Sequence, residues 1–198
     1  MKDSDESERR FIERLKERDE RAFLELVALY QARVYKLVFR MLGEKHEAED
    51  MAQEVFVQIF RAVDSFRGDS RLGTWVYRIA VNACKNRIKY LGRRRADAQE
   101  PYEEREAPAA ARFATSSELS RPDHLVEGLQ LERIVQISIA EMDADFREVL
   151  VLRDVEDLSY DEICEITGLP EGTVKSRLHR ARAMLKAAVE RKLGETIA

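Results

Sequence analysis

Residues 168–182 read GLPEGTVKSRLHRAR, from Gly168 to Arg182, and put four Lys or Arg and a histidine on one short segment of a chain whose net charge is −4. The residues around this segment dictate how it folds. Ser159 with Glu162 three positions later forms a capping box, S-x-x-E, which predicts a helix over Tyr160–Thr167 burying Ile163 and Ile166 with small Cys164 between them. Gly168 suits the left-handed residue that ends such a helix, and Leu169 would plug the angle that follows. Pro170 fits the entrance of a second helix and cannot continue the first. That second helix buries Val174, Leu178, Ala181 and Leu185 at i, i+4, i+7 and i+11, leaving Lys175, Ser176, His179, Arg180 and Arg182 on its other face. Spacing and turn chemistry are those of a helix-turn-helix.

A helix presented to a DNA major groove needs short residues at its start, so that the backbone can approach, and then long donors for base edges and phosphates. Gly172 and Thr173 supply the first requirement. Lys175, His179 and Arg180 are placed for bases, while Thr173, Ser176, Arg177 and Arg182 can serve either bases or phosphates. The plain alternative is a cationic, solvated face on an ordinary helical hairpin. Capping, turn glycine, apolar spacing and charge all favour the DNA reading.

Outward from this motif the chain is helical. Phe23, Leu26, Val27, Tyr30, Val34, Leu37, Val38 and Met41 recur at threes and fours, as do Met51, Val55, Phe56, Ile59, Phe60 and Val63 over 47–66. A third stripe carries Leu72, Trp75, Val76, Ile79, Ala80, Ala83 and Ile88. No sustained alternation with turn signals predicts a strand. Periodicity dissolves over 96–124, which holds three of the four prolines and the acids Asp97, Glu100, Glu103, Glu104 and Glu106, and reads as a flexible acidic linker. The expected class is therefore all-α, with two small helical domains over 1–95 and 125–198. Some 25 linker residues, extended at ~3.3 Å each, would span on the order of 80 Å.

Charge is local. Between Arg67 and Arg95 nine Lys or Arg face Asp69 alone, a net of +8, and between Glu171 and Lys192 seven cations face Glu171 and Glu190, a net of +5. Glu141–Glu165 between them has ten acids against Arg147 and Arg153, a net of −8. Two basic blocks parted by acidic material suggest two separate polyanion contacts. Cys84 and Cys164 form no C-x-x-C pair, the histidines His46, His124 and His179 are scattered, and no metal site, disulfide framework or cofactor is expected. No phosphate loop or nucleophile–base constellation argues for an enzyme. The N-terminus MKDSDESERR is acidic and polar, no apolar run reaches membrane-spanning length, and a cytoplasmic location without membrane insertion is expected.

The segments F-R-E-V-L-V-L, L-S-Y-D-E-I and G-T-V-K-S-R-L occur both in LuxR-type regulators and in the last domain of bacterial sigma factors. The first half must decide. Its run from Ala48 to Arg95, with D-S-F-R-G-D-S, T-W-V-Y-R-I-A-V-N and G-R-R in order, resembles the second conserved region of extracytoplasmic-function sigma factors, especially the sigma-E type. A stand-alone LuxR-type regulator remains the alternative. The resemblance implies an RNA polymerase initiation subunit that binds the largest-subunit clamp helices and the flap of core polymerase, recognises promoter DNA and is restrained by an anti-sigma factor. By position it assigns Asp50, Gln53 and Glu54 to the clamp helices. It assigns the loop Phe66, Arg67, Gly68, Asp69, Ser70 and Arg71, with Asn82, to a flipped base of the −10 strand, and Arg78 and Lys85, with Arg87, Lys89 and Arg93 to Arg95, to phosphates. Lys175, Ser176, His179 and Arg180 fall to the −35 element, with Arg153 and Tyr160 near phosphates. Trp75, at helical spacing with Ile79, reads as core rather than as a melting wedge.

Overall fold

Among the described residues eight α-helices follow one another because short polar residues and glycines punctuate the apolar stripes where the sequence predicts. The computed structural model describes residues 2–97 and 122–197, with side chains over 6–94 and 128–195. Helices α1 (Lys2–Lys16), α2 (Glu20–Leu42), α3 (Lys45–Ala62) and α4 (Leu72–Asp97) form the first half. The second half holds α5 (Pro122–Glu141), α6 (Ala144–Leu150), α7 (Tyr160–Thr167) and α8 (Glu171–Ile197), and no strand occurs among the described residues. The expected linker lies, over 98–121, outside the described residues.

α2, α3, α6 and α7 each start on a side-chain cap that satisfies helix N–H groups otherwise left without partners. Asp19 accepts from Arg21 N at 2.8 Å and Ala22 N at 3.4 Å; Glu44 accepts from Glu47 N at 2.8 Å; Asp143 accepts from Asp145 N at 3.0 Å. The first N–H of α4 is capped from a distance, Leu72 N donating to Glu8 Oε1 of α1 at 2.8 Å. Beyond α6 the chain widens into a π turn over Val151–Val155 before α7.

α2, α3 and α4 pack as a bundle with α1 across one end, while α6 and α5 pack on α8. Leu26, Leu37, Val38, Val55, Ile59, Val76 and Ala80 fill the first half, and Val149, Leu152, Ile163, Val174 and Leu178 the second. These belong to one continuous apolar cluster. The sequence predicts modules able to act apart; in the structure they are closed on each other, α4 against α7 and α2 against α5.

Polar residues stitch this junction. Tyr77 OH donates to Glu156 Oε2 at 2.7 Å, Lys85 Nζ to Glu148 Oε2 at 2.9 Å, Arg40 Nη1 to Gln136 Oε1 at 2.6 Å, and Gln136 Nε2 to the Phe39 carbonyl at 3.0 Å. Lys36 Nζ reaches the Val155 carbonyl at 3.0 Å. Arg147 of α6 donates to the carbonyls of Met41, Ala140 and Met142. Burial pushes the Glu148 and Glu156 carboxyls above the usual carboxylate range and lowers the Arg147 guanidinium, because desolvation disfavours the charged form. The acidic block between the two basic ones is thus partly turned inward.

Gly43 ends α2 with φ 82°, and a Cβ there would stand 2.5 Å from Ala140 Cβ across the junction. Gly68 has a similar φ of 80° but open space where a Cβ would go. Gly43→Ala should therefore cost on the order of 2 to 4 kcal/mol, strain plus overpacking, and Gly68→Ala only about 1 to 2 from its backbone. Urea unfolding of both variants measures the difference. Equal costs would mean that the halves do not press together at Gly43.

Candidate nucleic-acid interface

The C-terminal reading head forms from local chemistry. Ser159 Oγ accepts from Glu162 N at 3.2 Å while Glu162 Oε2 accepts from Ser159 N at 2.9 Å, completing the predicted capping box. Gly168, at φ 71°, closes α7 with its N–H on the Cys164 carbonyl at 2.8 Å. The Pro170 carbonyl then accepts from Thr173 N and Val174 N at 2.9 and 3.0 Å to start α8. Burial of Val174, Leu178 and Ala181 turns Lys175, Ser176, His179 and Arg180 outward, all exposed.

Its cations are not equivalent. Tyr160 lies beneath two of them, with Arg153 Cζ 5.4 Å and Lys175 Nζ 5.3 Å from its ring centroid. Arg153 also donates to the Leu158 carbonyl at 2.7 Å, which ties it to the turn before α7. Lys175 pairs with Glu171 at 2.6 Å, which raises its ammonium pKa. Arg177, more buried than its neighbours, pairs with Asp145 at 3.1 Å, and Arg182 grips Asp154 through two contacts of 2.9 and 2.6 Å. Both expected DNA contacts are therefore braces within the second half here. Thr173 is half-buried, and its carbonyl accepts from Ser176 Oγ at 3.0 Å. His179 and Arg180 have no partner among the described residues and face solvent.

In the first half, Phe66 is only 3% exposed and packs on Trp75, their ring centroids 5.1 Å apart. Trp75 is core, as its spacing predicts. The Phe66 ring is thus buried beneath the loop rather than presented on its surface. Arg67, Gly68, Asp69 and Arg71 are exposed above this ring and Ser70 is half-buried. Arg78, Asn82 and Lys85 recur at helical spacing along α4, with Arg71 just before its start. Asn82 is exposed, but Arg78 Nε donates to the Glu165 carbonyl of α7 at 3.1 Å and Lys85 holds Glu148 of α6. Two of the expected phosphate contacts are thus engaged across the junction. Arg87 is also occupied, with a two-pronged grip on Glu47 of α3 at 2.7 and 2.9 Å.

On α3, Asp50, Gln53 and Glu54 are exposed together. The sequence reading missed that this face continues into apolar surface. Val57 and Phe60 are 40% and 46% exposed, although the 3.6-residue stripe assigns Phe60 to the core. Phe60 meets Phe23 edge-on at 4.6 Å and carries the Arg18 guanidinium 4.7 Å from its centroid. Tyr77, Gln136, Glu148 and Glu156 were missed as junction residues. The one signal was a charged pair, Arg147-Glu148, inside an apolar run.

Among the described residues no helix is long and apolar enough to cross a membrane, and no group of three or more His, Cys, Asp or Glu could hold a metal ion.

Comparison with known proteins agrees with this layout. The Sigma-70 region 2 family matches residues 26–94, and the Sigma-70, region 4 family matches residues 133–185. The chain is 36% identical over 190 residues to the RNA polymerase sigma-H factor of Pseudomonas aeruginosa, covering 96% of this chain and 97% of that protein. It is 39% identical over 182 residues to the ECF RNA polymerase sigma-E factor of Escherichia coli K12, covering 90% of this chain and 92% of that one. Its fold resembles that of CnrH in complex with the cytosolic domain of CnrY, with TM-score 0.66, 22% identity and coverage of 93% and 97%. It also resembles RpoE from Bartonella quintana in complex with the anti-sigma factor NepR, with TM-score 0.66, 24% identity and coverage of 85% and 96%. The LuxR-type alternative finds no support, because the first half, which would have to be something else, matches region 2. With regions 2 and 4 in order and full-length relatives of this kind, the chain belongs to the extracytoplasmic-function family of RNA polymerase sigma factors.

Proposed function

We propose that the chain joins core RNA polymerase in the cytoplasm and directs promoter-specific initiation, reading the −35 duplex with α8 and the −10 single strand with the α3–α4 loop and Asn82. It acts by binding, without chemistry of its own. The observation that carries this reading is the outward face of α8, where Ser176, His179 and Arg180 stand exposed on a helix fixed by the capping box and the Gly168 turn. Arg180 offers a guanidinium that can grip a guanine edge or a phosphate, and His179 can donate to or accept from a base depending on its protonation. Asp50, Gln53 and Glu54 dock on the clamp helices of the largest subunit, with Val57 beside them as apolar contact area, and the second half meets the flap.

The division of labour follows 1–95 for core binding and −10 recognition, 96–124 as tether and 125–198 for −35 recognition. An anti-sigma factor holds the chain inactive until a stress signal releases it.

Run-off transcription with purified core polymerase tests the whole reading: the chain should confer initiation at a definite start site on a promoter that core alone ignores. A chain that footprints duplex DNA yet never joins core would refute it. Arg180→Ala should cost about 1 to 3 kcal/mol of −35 affinity and change the ranking of substituted −35 sequences, whereas loss of a phosphate contact alone would weaken all sequences alike and lower the salt slope by about one. Asn82→Ala should weaken promoter opening by about 1 kcal/mol while closed-complex binding persists. Permanganate reactivity of the −10 thymines reports it, and normal reactivity would remove Asn82 from the pocket.

A further inference from the structure

α1 carries an acid where its stripe calls for an apolar residue. Glu8, Phe11, Ile12 and Leu15 fall at i, i+3, i+4 and i+7, on one helical face. Leu15 is fully buried and Phe11 and Ile12 pack against the core, so half-buried Glu8 is turned inward with them, toward the start of α4. There its Oε1 accepts from Leu72 N at 2.8 Å. Leu72 is the first residue of α4 and follows directly on the loop 66–71. The Arg71 carbonyl accepts from Trp75 N at 3.1 Å, but Arg71 has no short polar side chain to cap the helix, and Glu8 supplies the acceptor from another element.

The other end of this loop is held from the same part of the chain. Just past α1, Arg18 donates to the Phe60 carbonyl and to the Asp64 carboxylate, and its guanidinium lies 4.7 Å from the Phe60 ring centroid. Asp64 belongs to the 3-10 turn Val63–Ser65 that leads into Phe66. Arg18 sits at φ 63°, a left-handed conformation that glycine takes more easily, but glycine would bring no donor.

We propose that α1 is a brace for the −10 loop: Arg18 fixes its entry and Glu8 its exit, so that the two act as positioning residues for capture of the strand base without touching it. This rests on the −10 reading above. A loop with loose ends has to be ordered when the strand arrives, and that entropy is subtracted from the affinity; ends already pinned leave less to order. Tyr30 of α2 and Arg71 line the same cleft as Glu8, so the pinned exit is walled by α2 as well. The Arg18–Asp64 pair is partly exposed and Glu8 only half-buried, so losing either contact loosens the loop without unfolding the bundle.

The test uses holoenzyme assembled at saturating core polymerase and a forked promoter whose non-template −10 strand is unpaired, either intact or with an abasic site at one −10 position at a time. Glu8→Ala removes the acceptor, and Arg18→Gly removes the donors while easing the backbone. Each should lower affinity for the intact promoter by about tenfold, a loss typical of one charged hydrogen bond. Glu8→Gln keeps an acceptor oxygen and should bind as the unaltered chain does. On the promoter that lacks the captured base all the chains should bind alike, because the brace has nothing left to position. A defect that persists at full size on every abasic promoter, Glu8→Gln as impaired as Glu8→Ala, or variants that bind the intact promoter normally would overturn the brace and leave the −10 reading standing. Unaltered holoenzyme that binds every abasic promoter as tightly as the intact one would remove the −10 reading, and this proposal with it.

Discussion

One guanidinium sits where the two halves of this sigma factor meet. Arg147 of α6 is buried, and its N–H groups reach the carbonyls of Met41 at the end of α2 and of Ala140 and Met142 at the end of α5. The last carbonyls of a helix have no partner within it, and they carry the negative end of the helix dipole. A cation placed between two such ends satisfies both and fixes one against the other. Gly43, pressed on Ala140 a few residues away, is the backbone consequence: only a residue without a side chain fits between the helix ends that Arg147 draws together.

Around this point charge is arranged in two ways. On α8 Lys175 and Arg180 are among the exposed cations, on a helix that packs against α5, α6 and α7, and leave a duplex-reading face open even in the closed form. On α4 Lys85 and Arg78 are engaged across the junction, Lys85 by the Glu148 carboxylate and Arg78 by the Glu165 carbonyl, while Arg87 is held by Glu47 within the first half. A protein of net charge −4 can therefore hold two polyanion-binding surfaces and expose one of them before polymerase is met. Opening has to replace the contacts of Glu148, Glu156 and Gln136 with others, and core polymerase and promoter together offer both apolar and ionic substitutes.

How much of this the sequence carries depends on the range of the forces involved. The helix-turn-helix is legible because its determinants are local: Ser159 caps, Gly168 takes a positive φ, Pro170 opens the next helix, and Val174, Leu178 and Ala181 set its inner face. Trp75 is legible as core from its spacing alone. The junction is not, since periodicity separates apolar from polar faces but cannot say whether a polar residue meets water or another part of the chain. Glu148 and Glu156 read only as members of an acidic block, and Lys85 and Arg87 as phosphate contacts, for that reason, and each has a partner at least 40 residues distant in sequence. Phe60 errs in the opposite direction. Its position belongs to the buried stripe of α3, yet it lies at the border of that stripe, and Phe23 and Arg18 shelter it only in part.

A distance across the junction tests closure most directly. Spin labels at Gln31→Cys on α2 and Lys186→Cys on α8, both exposed, can be placed in a Cys164→Ser background; buried Cys84, its thiol pushed up to about 12, stays unlabelled. Double electron–electron resonance should give one narrow distance in the free chain and a longer one, by tens of ångströms, once the chain is bound to core polymerase and promoter. A broad, long distribution in the free chain, or a distance that does not change on the promoter, would contradict a junction that is closed at rest and opened to read DNA.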